Sequence, residues 1–151
     1  MEYFNDKGKA VADNYYEGTL QLRNPTKEVI QFAKNFIERN DKIFIAKESK
    51  VKGGVDLILS SQKIMQKIGK RLQKSFGGEL KISRRLFSMN RLTSKAVYRV
   101  TVLFRLHKFK IGDIVKVGAK LIKITRIQQN KVFGIDVDSG KKISVNYDKV
   151  N

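Results

Sequence analysis

Cysteine is absent from the 151 residues, which removes disulfides, thiolate zinc ligands and cysteine nucleophiles together. Histidine occurs once, as His107 beside Lys108. Without a nearby nucleophile or a second metal ligand, it reads as a surface or hinge residue and not as a catalytic one. Acidic residues are scarce: 14 Asp+Glu face 32 Lys+Arg, a formal net charge of +18 at pH 7. Such a surplus favours a polyanionic partner, because every phosphate contact releases condensed counterions. Nucleic acid or ribonucleoprotein is therefore expected in preference to a charge that serves solubility alone. No apolar run approaches the ~18–20 residues of a membrane span. The opening MEYFNDKGKA lacks the basic-then-apolar pattern of a signal peptide. With the missing cysteines, these features give the expectation of a cytoplasmic protein with no membrane partner.

Catalytic and cofactor motifs are missing too. Gly53-Gly54 and Gly77-Gly78 lack the later glycines of a dinucleotide fingerprint and the Lys-Ser/Thr ending of a P-loop. They read as backbone devices. Asp136 and Asp138 stand two apart before Ser139-Gly140, which suits a hairpin turn better than a metal or general-acid site. No enzyme, no cofactor and no metal are expected.

What is present is enough apolar sequence, 41%, for a real core. Residues 1–13 are polar and read as a flexible tail. From Asn14 to Arg23 the pattern alternates, with Tyr16, Gly18, Leu20 and Leu22 on one side, as in a half-buried strand. Asn24-Pro25 reads as a helix N-cap followed by proline at the first helical position. Val29, Phe32, Ala33, Phe36 and Ile37 then form one helical stripe. Lys42–Lys47 is expected as a second strand, Glu48–Gly54 as a charged turn and Val55–Leu59 as a third strand. Ser60 or Ser61 caps a second helix that runs to about Phe76, with Gly77 suited to its left-handed end. Leu80–Phe87 and Val97–Leu106 are further strands, joined by a polar connection at Asn90–Lys95. The order is β-α-β-β-α-β plus one strand. Two helices on one face of a mainly antiparallel sheet is the simplest way to bury these stripes, which is the α+β, ferredoxin-like pattern over residues 14–107.

After His107 the texture changes to short β-rich runs at Ile114–Val117, Leu121–Ile127, Val132–Val137 and Ile143–Val145. Turns at Gly118, Gln128–Asn130 and Asp138-Ser139-Gly140 separate them. Four or five short strands in residues 108–151 suggest a small SH3-like β-barrel. Both parts of the chain are basic.

The candidate RNA contacts fall into sets. Lys63, Lys67, Lys70, Arg71 and Lys74 recur at spacings of three, four and seven on the second helix, so they cluster on or near one exposed face. Arg84 and Arg85 precede the connection that carries Arg91 and Lys95, while Arg99 and Arg105 share one side of the last strand. Arginine forms a bidentate fork for phosphate and also stacks on unpaired bases, so the Arg-rich hairpin is the sharper candidate. The RNP-type aromatic string of an RNA-recognition module is missing, which favours readout of shape and phosphates. The competing reading is a protein-interaction scaffold whose small barrel docks a partner.

Four ordered blocks carry a resemblance. They are Tyr15–Arg23 (YYEGTLQLR), Gly53–Lys63 (GGVDLILSSQK), Val97–Leu106 (VYRVTVLFRL) and Phe109–Val115 (FKIGDIV). Together they resemble the Nmd-three family, large-ribosomal-subunit export adapters of eukaryotes and their archaeal relatives. The resemblance implies a non-enzymatic factor that binds the large ribosomal subunit or its RNA during maturation, with ribosomal proteins or other assembly factors as further partners. It also implies a translation-factor-5A-like region, in line with the barrel. By its compactness the chain looks archaeal, which leaves assembly or surveillance as the role, and a monomer is expected. The family usually begins with paired Cys-x-x-Cys zinc modules, which this sequence lacks, so zinc-dependent contacts do not carry over. A domain fragment or a naturally reduced member is the corresponding expectation.

Overall fold

The computed structural model describes residues 2–92, 94–128 and 131–150. The architecture is α+β, and the chain divides into two compact units, residues 1–107 and 108–151. In the first unit β1 (Tyr3–Phe4) and β2 (Ala10–Val11) precede β3 (Gly18–Arg23), α1 (Lys27–Glu38), β4 (Ile45–Val51), β5 (Gly54–Leu59), α2 (Gln62–Phe76), β6 (Gly78–Asn90) and β7 (Lys95–Leu106). Five of these strands form one sheet in the order β4-β5-β3-β7-β6. Every neighbouring pair is antiparallel except β3 and β7, which run parallel with Gly18 opposite Val100 and Arg23 opposite Arg105.

Period-two alternation gives this sheet one dry face. Leu20 and Leu22 of β3, Val55, Leu57 and Leu59 of β5, and Val100, Val102 and Phe104 of β7 are all buried. The 3.6-residue stripes of both helices meet them: Val29, Ala33 and Ile37 from α1, and Ile64, Met65, Ile68 and Leu72 from α2, belong to the same core. Both helices therefore cover one side of the sheet, because each has one apolar stripe and the sheet offers one apolar face. Two glycines set how closely the layers approach. A Cβ on Gly69 of α2 would stand 2.7 Å from Val102 Cγ1, and one on Gly18 would stand 2.2 Å from the Val100 carbonyl oxygen and 2.5 Å from Met65 Cε.

Several local expectations change. Residues 1–13 do not form a free tail: β1 and β2 pair as a small antiparallel ribbon, and the Tyr3 ring lies 4.9 Å from that of Phe44. That aromatic contact and the Asn5 turn, whose Oδ1 accepts from the N–H groups of Lys7 and Lys9, hold the segment. The first strand begins at Gly18 and not at Asn14.

The cap of α1 is Thr26, whose Oγ1 accepts from the Val29 N–H at 3.3 Å. Asn24 cannot serve, because its φ of 52° lies in the left-handed region and an N-cap needs extended backbone. Its amide instead donates to the Leu106 carbonyl at 3.0 Å, tying the end of β3 to the end of β7. The charged turn expected at Glu48–Gly54 shrinks to Lys52-Gly53, with Gly53 at φ 84°. Residues 45–51 instead form the sheet's edge strand, where charged side chains are tolerated and discourage further pairing. Ser61 caps α2 by accepting from the Ile64 N–H at 3.2 Å, and Gly77 ends it at φ 70°.

The second unit holds β8 (Ile114–Val117), β9 (Lys120–Gln128), β10 (Lys131–Asp136) and β11 (Lys142–Asn146), followed by a 3-10 turn at Tyr147–Lys149. The four strands form an antiparallel meander around Phe109, Val115, Ile122, Ile124 and Val132. Tyr147 closes one side: its ring lies 5.0 Å from that of Phe109 and its hydroxyl accepts from the Lys108 N–H at 2.7 Å. Of the expected turn at Gln128–Asn130, Gln129 and Asn130 lie outside the described residues, as does Thr93 in the connection after β6.

At Gly18 an added side chain would collide with backbone of the neighbouring strand. Gly18→Ala would push against a backbone carbonyl that cannot rotate away, so it is expected to cost about 1–3 kcal/mol or more. A denaturant titration should show a lower midpoint, and an unchanged midpoint would contradict the close β3–β7 approach.

Candidate nucleic-acid interface

The lysine stripe of α2 follows from helical arithmetic. Lys63, Lys67, Lys70 and Lys74 advance by four, three and four residues and stay on one exposed line, opposite the buried Ile64, Ile68 and Leu72. Arg71 stands about 80° round the helix from Lys63 and leaves the stripe. Its guanidinium lies 5.8 Å from the centroid of the Phe36 ring on α1, so the structure separates it from the lysines with which its spacing grouped it.

Arg84 also changes company. Strand register places it directly opposite Val100, on the helix-covered side of the sheet, whereas Arg85 faces Arg99 on the other side. Arg84 thereby joins Lys63, Lys67 and Lys70, with Lys7 from the β1–β2 ribbon, around a cleft of about 520 Å³ that also includes Asp6, Glu17, Gln62 and Gln66. The two acids are engaged elsewhere. Glu17 accepts from the Tyr15 hydroxyl at 2.6 Å through one oxygen and from the Gln62 N–H at 2.9 Å through the other. Asp6 accepts from the Ser61 hydroxyl at 3.0 Å. Burial, reinforced by Glu17, pushes the Tyr15 phenol well above its ordinary value, so it remains a donor at neutral pH. Among the described residues the ion pairs are Arg23–Asp56 at 2.7 Å and Lys34–Glu48 at 2.6 Å, and no cation of the cleft takes part. The cleft thus gathers more cations than carboxylates, and none of its cations is ion-paired among the described residues, which suits an anion carried by something else.

The hairpin presents its cations differently. Beyond Arg84 and Val100, β6 and β7 pair only with each other, because β3 ends its pairing with β7 at Gly18. This overhang of roughly 20 Å carries Arg91 and Lys95 at its exposed end. At its root Arg99 lies between two rings, 3.8 Å from the centroid of Tyr16 and 3.4 Å from that of Phe87, and donates to the Tyr16 hydroxyl at 2.7 Å. Each ring contact stabilises by about 0.5–2 kcal/mol. They also draw Arg99 away from Arg85, with which a directly opposed pair would repel. Arg99 therefore fastens the overhang instead of reaching out. Arg105 is exposed on the same side of β7, opposite Arg23 and Glu79 across its two neighbours. Lys74 lies exposed one turn beyond Lys70.

Residues that pattern reading missed include Lys7, read as part of a tail, and the ring partners Tyr16 and Phe87. No spacing rule connects residue 16 with residue 99. In the second unit, Arg126 lies 4.2 Å over the Phe133 ring beside an open groove lined by Gly134, Ile135, Lys142 and Ile143. Asp136 is a turn organiser: it is buried, and its Oδ1 accepts from the N–H groups of Asp138 at 2.9 Å and Ser139 at 3.4 Å. The Asp138 N–H holds its carboxyl below the ordinary value of 3.8, against the opposing effect of burial. Burial likewise lowers His107 from its ordinary 6.5, against the influence of Glu79. Among the described residues no group of three or more His, Cys, Asp or Glu is arranged to hold a metal ion, and no helix is long and apolar enough to cross a membrane.

A family model described as NMD3, second domain, matches residues 15–106, which is more than half of the 151-residue chain and coincides with the sheet-and-helix unit. No curated protein matches the chain.

The Asp136 turn makes a signed pH prediction. Because its pKa is lowered on folding, its stabilising contribution is complete above 3.8 and is lost as pH falls through the lower folded value. Wild-type protein should lose stability in the second unit in that acid range. Asp136→Asn should be less stable at neutral pH and show a shallower acid dependence in thermal melts.

Proposed function

The chain belongs to the NMD3 family, and on that basis we propose that it is a non-enzymatic factor that binds the large ribosomal subunit during its maturation, chiefly through ribosomal RNA. The observation that carries the reading is the coincidence of the family match, residues 15–106, with the unit that builds the Lys63, Lys67, Lys70 and Arg84 cleft. Positive side chains at this density, with the nearby carboxylates engaged in other bonds, favour a phosphate backbone over a single small anion. Lys74, Arg91 and Lys95 extend the same electrostatic footprint, while Arg85, Arg99, Arg105 and Arg71 lie on other faces.

The fold that accompanies this reading is ferredoxin-like with one strand added. The strands β4, β5 and β3 and the outer β6 keep the order and directions of that pattern, and β7 is inserted parallel to β3 between β3 and β6. The second unit corresponds to an SH3-like barrel. The role is that of an archaeal-type, monomeric, cytoplasmic assembly or surveillance factor. A second reading is favoured by one feature, the Arg126–Phe133 groove of the second unit. It would let that unit dock a protein partner while the first unit holds RNA.

Co-sedimentation with purified large subunits at two salt concentrations tests the main reading. Wild-type protein should pellet with subunits at low salt and be released steeply as salt rises. The triple variant Lys63→Glu, Lys67→Glu, Arg84→Glu should bind at least tenfold more weakly, with the slope of log affinity against log salt smaller by about two to three. Absence of association at low salt would overturn the proposal. Undiminished binding by the triple variant would remove the cleft from it.

A further inference from the structure

The overhang of β6 and β7 carries more than charge. Leu86 is 55% exposed, Phe87 54%, Met89 56% and Tyr98 44%, an unusual density of large apolar side chains on a ribbon that, among the described residues, pairs with no third strand. Register sorts them by face. Arg84 opposes Val100, Leu86 opposes Tyr98 and Met89 opposes Ala96, so Leu86, Tyr98 and Met89 continue outward along the same side of the sheet as Arg84 and the α2 cleft. A basic trough thus runs directly into an apolar platform. Between Glu79 and Asp113 the sequence contains no acidic residue, while Arg84, Arg85, Arg91, Lys95 and Arg99 all lie on or at the root of the overhang.

We propose that this platform, centred on the Leu86–Tyr98 pair, takes unpaired nucleotides of RNA whose phosphates run along the Lys63–Lys67–Lys70–Arg84 cleft. The inference rests on the RNA-binding reading above and names the kind of RNA. A regular A-form duplex offers a shallow minor groove of hydroxyls and a major groove too narrow for side chains, so exposed Leu, Met and Tyr would gain nothing from it. Splayed bases present π faces that stack on an aromatic ring such as that of Tyr98 whatever their sequence, and Leu86 and Met89 offer apolar contact beside it. Charge complementarity argues for RNA over a protein partner, since only a strongly acidic protein would match this ribbon, and the centres of protein interfaces are depleted in charge. Preorganisation supports the same use. Arg99 is clamped between Tyr16 and Phe87, so the platform is held in place before any ligand arrives and less freedom is lost on binding.

The test measures the full chain by fluorescence anisotropy against two RNAs: a hairpin that carries a single-stranded tail, and the same stem without the tail. Wild-type protein should prefer the tailed RNA by about tenfold, as expected for one or two stacked bases. The double variant Leu86→Ser, Tyr98→Ser should lose that preference while its affinity for the plain stem and its salt slope stay unchanged. Tyr98→Phe, which keeps the ring, should retain the preference. Both altered positions are exposed, and an unchanged thermal melt separates loss of stacking from loss of fold. Equal affinity of the wild type for both RNAs, or a Ser variant that keeps the preference, would overturn the inference. If large subunits still bind in that case, the proposed function stands and the platform meets protein or nothing. If neither RNA nor subunits bind, both readings fall together.

Discussion

The pairing of β7 on β3 is the constraint from which the rest of the first unit follows. The two strands run parallel from Gly18–Val100 to Arg23–Arg105, and at the first of those pairs the absent side chain of Gly18 lets the Val100 carbonyl come close. β3 is six residues long, whereas β7 has twelve and β6 thirteen. Fixing one end of β7 against a strand half its length leaves the other end without a third strand. The overhang is therefore a consequence of register, and its apolar side chains are exposed because no sheet remains to cover them.

The same pairing decides which charges meet. Alternation sends Arg84 to the helix side and Arg85 to the opposite side, so two adjacent arginines serve different surfaces. On the helix side, Gly69 allows α2 to lie directly on Val102, which brings the lysine stripe beside Arg84. On the other side, Arg99 would oppose Arg85 at close range. The Tyr16 and Phe87 rings remove that conflict and anchor the ribbon in the same contact. A folded chain that gathers lysines in excess of carboxylates in this way sacrifices some stability to self-repulsion, a cost that a phosphate-bearing partner would relieve.

Local elements were legible where one physical rule dominates. The helical stripes of Val29, Ala33 and Ile37 and of Ile64, Ile68 and Leu72, the Ser61 cap and the Gly77 stop each depend on residues within one or two turns. The strands after His107 were legible for the same reason: short apolar runs separated by turn residues leave few alternatives. Misreadings came where a distant contact outweighed a local preference. Asn24 looked like a cap but is held left-handed, with its amide on Leu106, 82 positions away. Glu48–Val51 looked like a charged turn, yet an edge strand accepts such residues. The N-terminal ribbon was hidden because its anchor, Phe44, lies in another part of the chain.

What the sequence by itself determined is the content of the surface and the layers: a large positive surplus, two amphipathic helices, a one-faced sheet, a β-rich second unit and the blocks that mark the family. Those properties are sums or short-range periodicities, and they survive without knowledge of the neighbours. Only the tertiary structure decided that Arg84 belongs with the α2 lysines, that Arg71 and Arg99 are occupied by aromatic rings, and that the platform of Leu86, Met89 and Tyr98 extends from the cleft. The Arg71 contact depends on how α2 packs against α1; the others depend on strand register, and shifting the register by one residue would exchange the two faces.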